Sequence, residues 1–180
     1  MKRKIFISIN LLAKTKKSLC RATEEWQDLP VKWVKEPNLH ITLEFLGHVV
    51  DDFIPEICAN VCEAVVNTEI FDLEFEKICL GPSEAEPRMI WLAGNANEEL
   101  KNLREKIEKA LDIFSTSKKS FRPHITLGKI RQHKWQALAE LPIINKNFPL
   151  TITAESVDIM ASEFEGDGME YTIIQSCPLK

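Results

Sequence analysis

Hydrophobic and polar residues alternate in several short segments of this chain and recur at helical spacing in others. Alternation predicts strands, because successive side chains of a strand point to opposite faces, whereas a spacing of three to four residues predicts helices. Strands are predicted at Lys4 to Leu11, Leu39 to Leu46, Ile70 to Leu80, Arg88 to Ala93, Arg122 to Ile130, Leu150 to Met160 and Glu170 to Ser176. Helices are predicted at Lys14 to Leu29, Asp51 to Val66, Asn97 to Phe114 and Trp135 to Leu141.

Two of the predicted strands carry the same tetrapeptide, His-Ile-Thr-Leu, at His40 to Leu43 and again at His124 to Leu127. Alternation places the histidine and threonine of each copy on one face and the isoleucine and leucine on the other. The apolar pair can anchor in a core while the imidazole and the hydroxyl project together. Two such strands side by side would present two histidines and two threonines to one groove.

The order of the predicted elements, without a linker or a low-complexity segment, favours one α+β domain over residues 1–180. We expect two pseudo-equivalent lobes whose antiparallel sheets form a central cleft, with helices on the outside and one motif strand from each lobe. The sequence Glu165-Gly166-Asp167-Gly168 predicts a hairpin turn between the last two strands. No interface-like apolar repeat stands out, so a monomer is the expectation.

Composition narrows the class of protein. The chain is 44% hydrophobic and 28% charged, as in ordinary globular proteins, and its apolar runs fall far short of the roughly 18 residues of a membrane span. The five cysteines are odd in number and scattered, and no secretory segment is recognised, which predicts a reducing, cytoplasmic location. Cys58 and Cys62 lie four apart on a predicted helix without a partner pair for a metal. We expect them to be small buried hydrophobic residues.

Charge is distributed unevenly. The net charge of −4 provides no global basic field for long nucleic acid, but a substrate held at one phosphate or one terminus remains possible. Around the second motif the sequence is locally basic, through Lys118, Lys119, Arg122, Lys129, Arg131 and Lys134. Each of these alone is most simply a solvated side chain, whereas the cluster favours a phosphate-bearing substrate. Strict alternation points Lys129 away from the His124 face unless the strand kinks or ends at Gly128.

Two histidines in one groove are suited to acid-base chemistry. The pKa of histidine is about 6.5, so one ring can accept a proton from water while the other donates one to a leaving oxygen. Threonine hydroxyls can donate to the non-bridging oxygens of a phosphate. The alternative is two ordinary strands with a polar outer face, which the duplication makes less attractive. A metal would need a third ligand, and His48 and His133 follow the ends of their strands, so we expect neither metal nor cofactor.

With these motifs the chain resembles the two-histidine phosphoesterase superfamily, and most of all its LigT-like branch of RNA 2′,3′-cyclic phosphodiesterases, some long described as 2′-5′ RNA ligases. The resemblance covers nearly the whole chain. It is carried by the opening strand Lys4 to Ile9, the first motif segment Asn38 to Gly47, the Arg-x-x-Trp segment Pro87 to Trp91, the second motif segment Phe121 to Leu127, and the ending from Glu155 to Tyr171. The branch commonly has arginine at the position of Lys129, and lysine keeps the charge but loses the planar two-bond grip.

The resemblance implies metal-free hydrolysis of a ribose 2′,3′-cyclic phosphate, on an RNA end or a small cyclic nucleotide, to a 2′-phosphomonoester. It implies that His40 protonates the departing 3′ oxygen and that His124 activates water, with both motif threonines in the cleft. Candidate substrate-binding residues are Arg122, Lys129 and Arg131 for phosphate, and Phe45 and Tyr171 for stacking on a base, although a core or rim position suits each aromatic ring as well. Trp91 is expected to be a packing residue.

Three other functions remain open. A 2′-5′ RNA ligase would run the reverse reaction with the same two histidines, and an exonuclease of the same superfamily would trim RNA 3′ ends. A nucleotide- or RNA-binding module without turnover is less favoured, because both motif histidines, His40 and His124, are intact. The identical tetrapeptides do not decide which histidine is the acid, and tRNA halves, splicing intermediates and cyclic nucleotides all present the same reactive group.

Overall fold

The computed structural model describes residues 1–112, 121–166 and 168–180. Within these residues the chain forms nine strands and four α-helices, which confirms the predicted α+β class. In chain order they are β1 (Lys2–Asn10), α1 (Ala13–Ala22), β2 (Val31–Trp33), β3 (His40–Val50), α2 (Ile54–Val65), β4 (Phe71–Gly81), β5 (Met89–Gly94), α3 (Glu98–Ala110), β6 (His124–Ile130), α4 (Gln132–Gln136), β7 (Asn145–Ala154), β8 (Ser156–Glu165) and β9 (Gly168–Pro178). None of the described helices is long and apolar enough to cross a membrane.

The strands form one antiparallel sheet in the order β7-β4-β5-β6-β3-β1-β8-β9, with β2 paired to β6. The sheet divides into a first half (β3, β1, β8, β9) and a second half (β6, β5, β4, β7, with β2). The two motif strands meet at the junction, where Ile41 pairs with Ile125. Neither half is continuous in sequence, because β2 joins the second half and the last two strands return to the first.

The apolar residues of both motifs anchor in the core as predicted. Ile41, Leu43, Ile125 and Leu127 are all buried in one hydrophobic cluster. The opening strand contributes three further isoleucines to that cluster by alternation. Helix α3 buries Leu100, Leu103 and Ile107, and its first turn is capped by Asn97, whose side-chain oxygen accepts from the Leu100 N–H at 2.9 Å. The face of each motif strand opposite to its histidine and threonine is therefore packed against the hydrophobic core.

Two predicted helices differ from the structure. The helix expected over Lys14 to Leu29 ends at Ala22, where the Thr23 hydroxyl donates to the Cys20 carbonyl at 2.8 Å and takes up one of the terminal acceptors of the helix. A separate 3₁₀ turn, Glu24–Trp26, follows. The short helix expected over Trp135 to Leu141 lies earlier, at α4.

One predicted strand is two strands. The segment Leu150 to Met160 is divided at Glu155, because β7 pairs with β4 in the second half-sheet and β8 pairs with β1 in the first. Each piece alternates, so the crossover is invisible to a periodicity argument. The predicted final hairpin closes on the pair Glu165–Gly168. Phe114, Lys118, Lys119 and Asp167 lie outside the described residues.

The expectation that Cys62 is simply a small buried hydrophobic residue is wrong. Cys62 of α2 forms a disulfide with Cys177 of β9, across Cα atoms 5.0 Å apart. Cys20, Cys58 and Cys79 are free. The i, i+4 spacing suggested that Cys58 and Cys62 act as a pair, but Cys62 is bonded to Cys177. These two cysteines are 115 positions apart in sequence, and only the tertiary fold brings them together.

Candidate functional site

The junction between the half-sheets brings the two motifs together. In an antiparallel pair centred on Ile41 and Ile125, His40 lies toward Thr126 and Thr42 lies toward His124. The two histidines therefore occupy one diagonal of a four-residue group and the two threonines the other. All four side chains are half-buried. The structure thus brings the predicted motif residues together on one face of the sheet.

Backbone carbonyls set the proton position on each histidine ring. His40 Nδ1 donates to the Asn38 carbonyl at 2.6 Å, and His124 Nδ1 donates to the Arg122 carbonyl at 2.7 Å. A carbonyl oxygen can only accept, so each neutral ring carries its proton on Nδ1 and keeps the Nε2 lone pair for proton transfer. His40 Nε2 accepts from the Thr42 hydroxyl at 2.8 Å. The two motifs hold the same tautomer by the same local device.

Burial lowers the pKa of both histidines below its ordinary value. At His40 the hydrogen bond to the Asn38 carbonyl acts in the opposite direction, while the positive charges of Lys16, His124 and Lys129 lower the pKa further. At His124 the bond to the Arg122 carbonyl raises the pKa and the Arg122 charge lowers it. The free cleft therefore favours two neutral imidazoles, and a bound anion would act in the opposite direction by stabilising an imidazolium.

A buried lysine supports the turn that carries the His40 acceptor. Asn38 ends the 3₁₀ turn Glu36–Asn38, and Lys16 of α1, only 9% exposed, donates to the Pro37 carbonyl in that turn at 2.8 Å. The Asn38 amide donates to the Met169 carbonyl of β9 at 2.7 Å. The turn is thus tied to α1 and to β9. The sequence offered no signal for Lys16, whereas Asn38 belongs to the motif segment that carries the resemblance.

Aromatic rings line the first half-sheet beside His40. The ring of Phe6 lies 4.9 Å from that of His40 and 5.0 Å from that of Tyr171, and Tyr171 lies 5.4 Å from His40. Register shifts between β1 and β3 place Phe45 opposite Phe6, on the motif face, with 56% of its surface exposed. Burial raises the pKa of Tyr171, so its hydroxyl stays protonated. Phe6 was not among the predicted site residues.

Trp91 contacts the second motif directly. Its ring lies 4.2 Å from that of His124, centroid to centroid, and the Arg122 guanidinium lies 5.6 Å from the Trp91 ring. Gly81 makes room for this ring, since a Cβ there would lie 1.9 Å from Trp91 Cε2. The prediction that Trp91 only packs in the core is therefore incomplete, because the ring forms one wall around His124.

A bulge in β6 changes the predicted direction of Lys129. Trp91 pairs with Thr126 but Ile90 pairs with Gly128, which leaves Leu127 as an extra residue on β6. Lys129 is consequently paired with Met89, on the same face as Thr126, whose hydroxyl contacts Met89 Sδ at 3.8 Å. Strict alternation is therefore wrong for Lys129, and the irregularity lies at Leu127, one residue before the Gly128 position at which a kink or strand end was considered.

Arg122 and Arg131 differ in their relation to the motifs. Arg122 is exposed next to the second motif and reaches the Trp91 ring. Arg131 follows β6 at the start of α4, where its backbone N–H donates to the Pro30 carbonyl at 2.9 Å. Within the part of the chain that the structure describes, no contact joins the Arg131 side chain to a motif residue.

Metal ligation has little support in the side-chain arrangement. Across residues 1–112, 121–166 and 168–180, no group of three or more histidine, cysteine or carboxylate side chains is arranged to hold a metal ion. His48 and His133 are exposed. The histidine tautomers, the threonine hydroxyls and the nearby cations suit acid-base chemistry on an anion.

Comparison with known proteins agrees with this geometry. The model of the 2′-5′ RNA ligase superfamily matches residues 15–163. The RNA 2′,3′-cyclic phosphodiesterase of Thermotoga maritima is 28% identical over 96% of this chain and 93% of its own length, and that of Bacillus subtilis is 30% identical over 74% and 69%. The crystal structure of E. coli LigT complexed with 3′-AMP shares the fold, with a TM-score of 0.81 and 21% identity, over 99% of each chain. The resemblance inferred from the motifs is confirmed, and the chain belongs to the 2′-5′ RNA ligase superfamily.

Proposed function

We propose that this protein is an RNA 2′,3′-cyclic phosphodiesterase, which hydrolyses a terminal ribose 2′,3′-cyclic phosphate to a 2′-phosphomonoester without a metal ion. The observation that carries the proposal is the pair of histidines held in one tautomer at the junction, each beside the threonine of the other motif. The relatives from T. maritima and B. subtilis bear the name of this activity.

The reaction needs one base and one acid. His124 Nε2 takes a proton from water as the water oxygen bonds to phosphorus. The bond from phosphorus to the ribose 3′ oxygen breaks, and protonated His40 gives its Nε2 proton to that oxygen. One proton has then passed to His124 and one has left His40, and exchange with solvent resets the pair. The assignment of acid and base follows the family resemblance, since the two tautomers are the same.

Protonation of His40 also frees the first threonine. In the neutral state the Thr42 hydroxyl donates to His40 Nε2. An imidazolium has no acceptor at Nε2 and can donate from Nε2 to the Thr42 oxygen, so the Thr42 proton becomes available to a phosphate oxygen. Among the described residues the Thr126 hydroxyl makes one long contact, to the Met89 sulfur at 3.8 Å, so it is available in the same way. Both would stabilise the charge of the pentavalent transition state.

Cations and aromatic rings complete the substrate site in this proposal. Lys129 and Arg122 supply positive charge near His40 and His124 respectively. Tyr171, beside His40, and the exposed Phe45, beside Phe6, supply ring faces on which the terminal base can stack. Arg131 would contribute only to the general basic surroundings.

The test is product analysis with an oligonucleotide ending in a 2′,3′-cyclic phosphate, in excess EDTA. The expected product carries a 2′-phosphate, and activity should persist in the chelator. Loss of activity in EDTA with rescue by a divalent ion would overturn the metal-free mechanism. Parallel reactions with a 5′-hydroxyl RNA would reveal a ligase through a joined product, and release of mononucleotides from longer RNA would reveal an exonuclease.

A further inference from the structure

We infer that Lys32, together with Lys129, forms a second phosphate subsite that holds the phosphodiester on the 5′ side of the terminal nucleotide. The substrate class is then the end of an RNA chain of two or more nucleotides, in preference to a cyclic mononucleotide. This inference rests on the proposed phosphodiesterase activity and identifies the part of the substrate that the motifs do not touch.

The position of Lys32 follows from the register of β2. This three-residue strand pairs with β6 where β3 diverges from it, and Lys32 lies directly opposite Lys129. Directly opposed residues of an antiparallel pair share a face, and Lys129 lies on the motif face because of the bulge at Leu127. Lys32 is therefore the one side chain of β2 that faces the cleft. Its two neighbours, Val31 and Trp33, point to the core side.

Among the described residues, no carboxylate lies in ion-pair distance of either ammonium group. Both side chains are exposed, and among the described residues neither makes an ion pair or a side-chain hydrogen bond. Like charges directly opposite each other on a sheet destabilise the pair. A bound phosphate would convert that repulsion into a two-sided contact. In a chain of net charge −4, this doublet belongs to the locally basic region around the second motif.

The location suits the phosphate next to the reacting one. The pairing of Ile41 with Ile125 sets Thr126 toward His40, so Lys129, three residues farther along β6, lies at the His40 end of the site, and Lys32 lies beside it on β2. The aromatic rings proposed for the terminal base lie at the same end, on the opposite half-sheet. A terminal nucleotide that stacks on those rings and presents its cyclic phosphate to the histidines would direct its 5′ oxygen across the cleft toward β2.

A nearby groove offers the competing path. It has a volume of about 870 Å³, opens beside Met89 and Lys129, and is lined farther on by Arg88, Gln132 and Trp135. Glu86 also lines it, so its charge is mixed. If the chain left the cleft through this groove, Arg88 and not Lys32 would meet the next phosphate. The two paths therefore predict different contacts for the phosphodiester, with Lys32 on the first path and with Arg88 on the second.

The experiment compares two dinucleotides that end in a 2′,3′-cyclic phosphate, one with a normal phosphodiester and one with a neutral methylphosphonate linkage. We expect the wild-type kcat/KM to favour the charged linkage on the order of tenfold, the effect of one charged contact. Lys32→Ala should abolish that preference and Lys32→Arg should restore it. Lys101→Ala, an exposed lysine of α3, serves as the control that leaves the preference intact. With the charged substrate, the slope of log kcat/KM against log salt should be shallower by about 0.7 in Lys32→Ala.

Equal turnover of both dinucleotides by the wild-type protein would overturn the subsite. So would a preference that survives Lys32→Ala, or one that disappears only in Arg88→Ala. Equilibrium binding of the same dinucleotides to His40→Ala, with and without Lys32→Ala, separates this inference from the proposed activity. A Lys32-dependent preference in binding supports the subsite even where the wild-type protein shows no turnover, and its absence overturns it.

Discussion

The rings of Trp91 and His124 lie against each other, 4.2 Å apart with planes inclined by 48°. Trp91 thereby removes solvent from one side of the imidazole, and burial is the largest cause of the lowered pKa of His124. We expect Trp91→Leu to raise that pKa toward its ordinary value and to shift the pH profile of kcat/KM in the same direction. Titration of the His124 ring by NMR measures the first effect. Phe75→Leu, a core change on β4, should lower stability without moving the titration.

The motif histidines should dominate activity and contribute little to folding. His40→Ala and His124→Ala are each expected to lower kcat for cyclic-phosphate hydrolysis by on the order of 10²- to 10⁴-fold, the usual effect of one positioned acid or base. His48→Ala, an exposed histidine past the motif on β3, is the matched control and should retain wild-type kcat. Near wild-type turnover by either motif variant would remove that histidine from the mechanism.

The pH dependence should differ between free and bound states. Burial lowers the pKa of both histidines in the free protein, so the bell-shaped profile of kcat/KM should be centred below about 6.5. In the complex the substrate anion stabilises an imidazolium, which raises both values, so the profile of kcat should be centred at higher pH. The two limbs belong to the coupled pair. If the pH optimum of kcat/KM were higher than that of kcat, the predicted direction of the pKa shift on substrate binding would be contradicted.

Lys16 should act on catalysis only through the position and charge state of His40. Lys16→Met removes the bond to the Pro37 carbonyl and loosens the turn that presents the Asn38 carbonyl. We expect a fall in kcat of about tenfold, the scale of one lost charged hydrogen bond, with little change in KM. Because the Lys16 charge lowers the pKa of His40, its removal should raise that pKa. Lys16→Arg should recover part of kcat, and an unchanged His40 titration in Lys16→Met would exclude the electrostatic link.

The disulfide should stabilise the fold without being required for the chemistry. It joins residues 115 positions apart in α2 and β9, and disulfides typically give about 2–4 kcal/mol of stabilisation. Addition of a reductant should therefore lower the free energy of unfolding of the wild-type protein by about that amount. The double variant Cys62→Ala/Cys177→Ala should show no response to reductant, whereas Cys58→Ala, on the same helix, should respond as the wild type does. An identical unfolding curve for the wild-type protein with and without reductant would contradict a stabilising bridge.

The sequence predicted what depends on local periodicity and missed what depends on register. Alternation found the motif strands, and the anchored Ile41 and Ile125 confirm it. Alternation failed at Lys129, because the extra residue at Leu127 moves the side chains that follow it on β6 to the opposite face of the sheet. The contacts of Trp91 with His124 and of Lys16 with Pro37 join distant segments, and no spacing rule reports such contacts. The pairing of Cys62 with Cys177 escaped prediction for the same reason.

The register at Ile41 and Ile125 bears on which of the two ester bonds of a cyclic phosphate is broken. It relates the two motifs by an approximate twofold rotation, so each histidine would serve equally well as acid or base if the motifs stood alone. A reaction that always breaks the bond to the 3′ oxygen and never the bond to the 2′ oxygen requires the substrate to enter in one orientation. The orientation of the substrate must then be set by the side chains around the two histidines, which differ. Phe6 and Tyr171 lie beside His40, whereas Trp91 lies beside His124 with Arg122 near the Trp91 ring. The regioselectivity of the proposed reaction would therefore reside in residues outside the duplicated tetrapeptide.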